Sequence, residues 1–293
     1  MTEHLPTTGR SSRLVDTRGP MAGIDRWWLL VLAVLAIILY LVLIIGTPYS
    51  QILKFILVGP GENAWQQFWN GGLGITLKIT VASFICIIVV GVLGGLGRIS
   101  SNRILRGVAS LYVEVVRGIP LLVWLLYIWF ALPQIFQVVG NALLPVLPAV
   151  GNWLTNLRLD PFTAAVIGFT VGYGAYMTEI VRAGIESIPR GQMEAARSLG
   201  LSYVQAMRYV ILPQAFRVIL PPVSNEFVTL LKDSSLVSVL AVSDLTRRGR
   251  EFVSRSFLSF ETFTMIALIY LLLTLIFTRL ARWLEQRMSA GHR

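Results

Sequence analysis

Six stretches of this chain are apolar over about 20 residues each, the length an α-helix needs to cross the hydrocarbon of a bilayer. They are Trp27–Gly46, Gly74–Gly97, Ile119–Val139, Phe162–Ala183, Val223–Val242 and Phe263–Trp283. The fifth starts just after Pro221–Pro222, and "SLYVEVVRG" before the third reads as an interfacial helix. With 55% hydrophobic and 14% charged residues and a mean hydropathy of +0.70, the chain is too apolar for an ordinary soluble domain. The fold class is all-α integral membrane, with about six transmembrane helices. The first run is long for a signal-peptide core, and no small-residue cleavage site follows "LIIGTPYS", so it reads as a retained span.

The net charge of +10 suggests nucleic acid at first sight, but most basic residues flank the apolar runs, which is a topology signal. Six spans put both termini on one side, and the bias of Lys and Arg makes that side the cytoplasm. "DLTRRGREFVSR" resists, because it falls outside with four Arg. A role there in docking a partner or an anionic lipid is open. The chain divides into a disordered cytoplasmic tail (1–26), an N-terminal span with an external segment (27–72), a core (73–287) and a short C-terminal tail (288–293). Cys86 is the only cysteine, so neither an internal disulfide nor a cysteine zinc site is expected. His4 and His292 lie in the tails, which leaves no Ser/His/Asp or Cys/His constellation and no catalytic or metal residues. None of Lys54, Lys78 and Lys232 follows a Gly, so no phosphate-binding G-K-[ST] loop is present and nucleotide chemistry would need another chain.

Between the fourth and fifth spans lies "GQMEAARSLGLSYVQAMRYVILP", too polar to enter the bilayer. It reads as two short helices. The first runs from about Gly191 to Leu199, with Gly200 as C-cap. The second starts at Ser202 in a capping box with Gln205 and ends before Pro213. On periodicity alone, an interfacial hairpin and a partner-docking element are equally good readings.

The residues of this loop resemble the signature of bacterial ABC-importer permeases: Glu194-Ala195-Ala196, Gly200 after three residues, then Val210 where the family has Ile, and Leu212-Pro213. "GLGITLKIT", "YVEVVRGIPLLV", "GAYMTEIVRAGIESIPRGQMEAARSLG" and "LLKDSSLVSVL" are similar to the polar amino-acid uptake branch, over about Leu73 to Arg287. The resemblance implies a five-helix permease core, here with an extra N-terminal span, and a cytoplasmic coupling helix seated on an ATPase. It implies a permease subunit of a polar amino-acid importer in the bacterial inner membrane. It is not itself an enzyme and binds no cofactor; ATP and Mg belong to two partner ATPase subunits. A second permease subunit, identical or paralogous, an external amino-acid-binding protein and membrane lipids are the other partners, and nucleic acid is not one.

Lys232 and Asp233 fall near the middle of the fifth span, where each charge costs about 2.5–3.5 kcal/mol. They would line a translocation path or pair with other spans. Asn225 and Glu226 are expected in the first turn of that span, as a cap or cytoplasmic gate. Glu114 and Arg117, and likewise Glu179 and Arg182, are spaced i, i+3 and read as interfacial pairs. Gly91 and Gly95 form a small-xxx-small pair for close helix packing. An ion-driven secondary transporter using Lys232, Asp233 and Glu226 is the first competing function, though no internal repeat supports it. A membrane scaffold is the second, and the buried charges argue against it.

Overall fold

A computed structural model describes residues 22–289, all helical or connecting segments. The helices in order are α1 (Ala22–Tyr40), α2 (Thr47–Leu57), α3 (Ala64–Trp69), α4 (Gly72–Ile99), α5 (Arg103–Arg117), α6 (Leu121–Leu126) and α7 (Leu132–Leu143). They continue with α8 (Pro148–Asn156), α9 (Pro161–Glu186), α10 (Arg190–Ser198), α11 (Tyr203–Ala206), α12 (Leu212–Asp233), α13 (Leu245–Ser256) and α14 (Ser259–Ser289). The readings of residues 1–21 and 290–293 as tails lie outside the described residues. Among the described residues, five helical stretches are long and apolar enough to cross a bilayer: Trp27–Ile45, Gly72–Ile99, Leu121–Leu143, Pro161–Glu186 and Ser259–Met288.

The pairing of α4 with α9 forms the centre. Gly91, Gly94 and Gly95 bring the two backbones so close that a Cβ on Gly95 would lie 2.5 Å from Val181 Cγ1. Around this seam, Ile79, Ile87, Leu125, Phe169 and Leu230 are fully buried. Asp160 caps α9 by accepting from the Phe162 and Thr163 amides, and its bond from the Thr163 hydroxyl holds its carboxyl below the usual range. The N-terminal helix α1 packs on α14. There the Trp27 indole donates to the Leu275 carbonyl, and the Arg282 guanidinium lies 4.5 Å from the Trp27 ring.

Three prolines enter helices behind a widened π turn. The segments Leu41–Ile45, Tyr127–Ala131 and Met207–Ile211 end one to three residues before Pro48, Pro133 and Pro213. In each the amide at the end reaches back five residues: Gly46 to Leu41, Leu132 to Tyr127 and Leu212 to Met207. At Pro133 and Pro213, where the helix runs on, the wide turn accommodates a ring that lacks an N–H and would otherwise strike the preceding turn, whereas Pro48 opens α2 after a break at Gly46 (φ +88°). The second helix of the polar loop therefore does not stop before Pro213. It runs on through the π turn into α12.

This moves the fifth span. It begins at Leu212 rather than Val223, contains Pro221 and Pro222, and gives way at Ser234 to a 3-10 turn ending at Leu240. Asn225 and Glu226 consequently sit in the middle of α12, not in its first turn. Lys232 and Asp233 close α12 instead of occupying its centre. A second correction concerns α5, expected as an interfacial helix, whose C-terminal half packs against α9. Tyr112 donates to the Val171 carbonyl at 2.8 Å, and Val113 and Val116 pack against Ala175, so the C-terminal half of α5 lies beside the middle of α9.

The arginines of "DLTRRGREFVSR" have structural partners. Arg248 donates to the Phe55 and Val58 carbonyls at the end of α2, and Arg247 and Arg250 donate to the Ser238 carbonyl. Arg247 also pairs with Glu251, and Arg255 lies over the Phe55 ring. They satisfy helix-end carbonyls that have no intrahelical donor. Asp244, fully buried, caps α13 through the Thr246 and Arg247 amides, and burial pushes its carboxyl up to about 6.

Two outcomes follow. Gly95→Val adds a branched side chain against Val181 and forces α4 from α9; a loss of about 1–3 kcal/mol is expected as a lower melting temperature in detergent, with Gly107→Val as an open-space control. The raised Asp244 carboxyl binds a proton on folding between its ordinary range near pH 4 and pH 6. Its contribution is therefore complete below about pH 4 and lost as pH rises through 6. Melting temperature should rise from pH 7 to pH 5 by more in the native chain than in Asp244→Asn.

Candidate functional site: a coupling surface and an intramembrane cavity

The polar loop forms a rigid knob. Helix α10 ends in a Schellman motif: Leu201 donates to the Ala196 carbonyl and Gly200 to that of Arg197, with Gly200 at φ +86°. Ser202 then caps α11, and its capping box with Gln205 has both bonds. On the inner side, Met193 and Val210 pack against Val181, Ile185, Ile211 and Ala215, and Ala196 is buried. Gln214 bonds the Gln192 side chain and the Val210 carbonyl, tying α10 to α12. Glu194, Ala195, Gly200, Leu212 and Pro213 face outward. Leu199 and Val204 stand 84% and 72% exposed, more than a lone folded chain needs, so this surface has the chemistry of a docking site.

The charged residues behind the knob form a network. Glu179 and Arg182 pair as their spacing predicts, and Arg98 of α4 joins Glu179 while Glu186 joins Arg182. The expected Glu114–Arg117 pair is absent among the described residues. Both side chains are exposed, and Arg117 instead lies 5.0 Å from the centre of the Tyr176 ring. The helix carrying them inserts beside α9, so the side chains point at a cavity rather than along an interface.

That cavity, of about 460 Å³, is lined from α9 by Gly172, Tyr173 and Tyr176, from α12 by Glu226, Thr229 and Asp233, and from the α5–α6 break by Arg117 to Leu121. Tyr173, midway along the 26-residue α9, donates to Asp233 Oδ2 at 2.6 Å. This bond places Asp233 at mid-span depth even though it ends its helix. Lys232 is exposed on another face of α12, with Asn225 at i−7, and neither lines the cavity. The sequence reading missed Arg117 as a cavity residue. The signal available was the Arg117-Gly118-Ile119-Pro120 break, which ends a helix inside the membrane beside a charge.

Residues 87–290 match the family described as binding-protein-dependent transport system inner membrane component. The chain belongs to this family. The permease is 37% identical over 231 residues to the glutamine transport system permease protein GlnP of Escherichia coli (strain K12), covering 77% of this chain and 97% of that protein. It is 40% identical over 200 residues to the L-cystine transport system permease protein TcyB of Bacillus subtilis (strain 168), covering 67% and 77%. A solved structure of an amino acid ABC transporter with histidines is similar at 40% identity and a TM-score of 0.64, over 74% of this permease and 92% of that chain. The MetNI methionine ABC transporter, at 21% identity and a TM-score of 0.57, shares the fold.

Replacing Glu179 by Gln removes the charge shared by Arg98 and Arg182. Each charge-assisted bond contributes about 1.5–3 kcal/mol, and partial exposure reduces this, so a melting temperature lower by a few degrees is expected. An unchanged value would show that the network carries no stability.

Proposed function

We propose that this permease subunit moves polar amino acids across the bacterial inner membrane as part of an ABC importer, with both termini in the cytoplasm. The α10–α11 knob seats on an ATPase subunit. Two such subunits bind and hydrolyse ATP with Mg, and an external binding protein delivers the amino acid. A second permease subunit covers the polar face of Asn225 and Lys232, which lipid would not solvate. The cavity between α5, α9 and α12 holds the amino acid in transit.

The observation that carries this reading is the continuous helical path from Tyr203 through the π turn to Asp233. One end is the capped, outward-facing knob, and the other is the cavity wall. Movement imposed on the knob reaches the carboxylates of Glu226 and Asp233 through α12. Arg117 offers a bidentate partner for a carboxylate, and Glu226 and Asp233 offer partners for an ammonium group. The amino-acid permeases among the relatives support the substrate class.

Uptake of labelled amino acids into proteoliposomes holding this chain, its ATPase and its binding protein tests the coupling. ATP-dependent uptake is expected to be lost in Gly200→Val, where a branched residue cannot hold φ +86°, and retained in Gly200→Asn, which tolerates that conformation. Glu194→Arg should lower uptake while the permease still folds. Uptake that persists without ATP and ignores both loop variants would overturn the coupling role.

A further inference from the structure

The charges around the cavity do not balance for a simple zwitterion. Arg98, Glu179, Arg182 and Glu186 neutralise one another in their own network. The cavity wall is left with one cation, Arg117, and two acids, Glu226 and Asp233. Glu114 adds another acid in the adjoining hollow with Arg98 and Arg117. Among the described residues, Glu226 makes neither a hydrogen bond nor an ion pair. A zwitterionic amino acid with a neutral side chain would use Arg117 and one acid, leaving the second without a counter-charge at a depth where an unpaired charge is costly.

The spacing of the two acids adds a length. Glu226 and Asp233 stand on one face of α12 seven residues apart, which is about 10 Å along the helix. Helices α9 and α12 run antiparallel, since Gly184 meets Ile219 while Tyr173 meets Asp233. Tyr176, with Arg117 on its ring, is thus displaced from Tyr173 in the same direction as Glu226 from Asp233. The lone cation lies at a depth between the two acids.

We propose that the cavity is selective for amino acids with a positively charged side chain, of the lysine and arginine kind; this rests on its reading as the transit site. Such a molecule, extended, holds its two positive groups about 6–7 Å apart on bonds of about 1.5 Å. A hydrogen bond of about 2.8 Å at either end brings the span to about 12 Å, so a slightly bent side chain reaches both acids. The α-carboxylate, near one end, meets Arg117. Glutamine has a similar length but leaves one carboxylate unpaired, and glutamate sets like charges together. Thr229, between the acids on the same face, supplies a neutral hydroxyl to the wall.

The test is calorimetric titration of the detergent-solubilised permease–ATPase complex with L-arginine, L-lysine, L-glutamine and L-glutamate, without the binding protein. Arginine or lysine is expected to bind at least about tenfold tighter than glutamine. Glu226→Gln should erase that preference, and Asp233→Asn serves the same purpose if that variant does not fold. Arg117→Met should weaken every amino acid. Glutamine or glutamate binding as tightly as arginine, with Arg117→Met still weakening it, would overturn the selectivity and leave the transit site standing. No binding of any amino acid, or binding indifferent to Arg117→Met, would overturn both.

Discussion

The constraint on which this structure depends is that hydrocarbon offers no partner to a backbone polar group or a charge. Each departure from regular helix has a local solution. Where Pro133 and Pro213 break the ladder, a π turn precedes them and re-pairs an amide five residues back. Where α2 and the 3-10 turn end, arginines of α13 reach their carbonyls. Where α5 breaks at Gly118, the Trp124 indole and the Ile119 amide both donate to the Val116 carbonyl. Charges that remain at this depth gather at the cavity or on the uncovered face of α12.

The same constraint explains why the arginines of α13 depart from the distribution of positive charge expected from the sequence. That rule describes charges free to choose a side of the membrane. Arg247, Arg248 and Arg250 are committed to carbonyls contributed by other segments of the chain, more than 180 residues away in the case of Phe55. Their number reflects how many helix ends converge beside α13. The Ser238 carbonyl lies within a dozen residues of them, but no window of sequence around them contains the end of α2.

The apolar helices and the knob were legible because their signals are local. Twenty-residue runs, the Ser202–Gln205 box and the glycine at Gly200 each act within one or two turns, and the motif from Glu194 to Pro213 is continuous. Misreadings arose where a helix crosses a local stop signal. Pro221 and Pro222 look like a boundary, yet α12 passes through them, so Glu226 moved from first turn to mid-helix and Asp233 from the centre to the end. Glu114 and Arg117 have the spacing of a pair, but that spacing says nothing of what α9 offers; the Tyr176 ring was closer at hand for Arg117. Cavity membership is a tertiary property of three helices far apart in sequence, and only the charges themselves announced it.

A helix with prolines at positions 213, 221 and 222 is a poor choice for a stiff rod and a good one for a lever with a joint. The π turn at Met207–Ile211 sits where α12 leaves the knob, anchored by Ile211 and Val210 against Val181 and Ile185. Beyond it, Ala215 is buried, and Ile219 fits over Gly184, where a Cβ would lie 2.2 Å from Ile219 Cγ1. That close fit lets α12 move with α9 near the knob. The Tyr173–Asp233 hydrogen bond joins the same two helices at mid-span, in the cavity wall. Between these two fastenings lie the paired prolines and Glu226. A twist applied at the knob therefore has one stretch in which to be absorbed, and that stretch carries the carboxylate whose position sets what the cavity can hold.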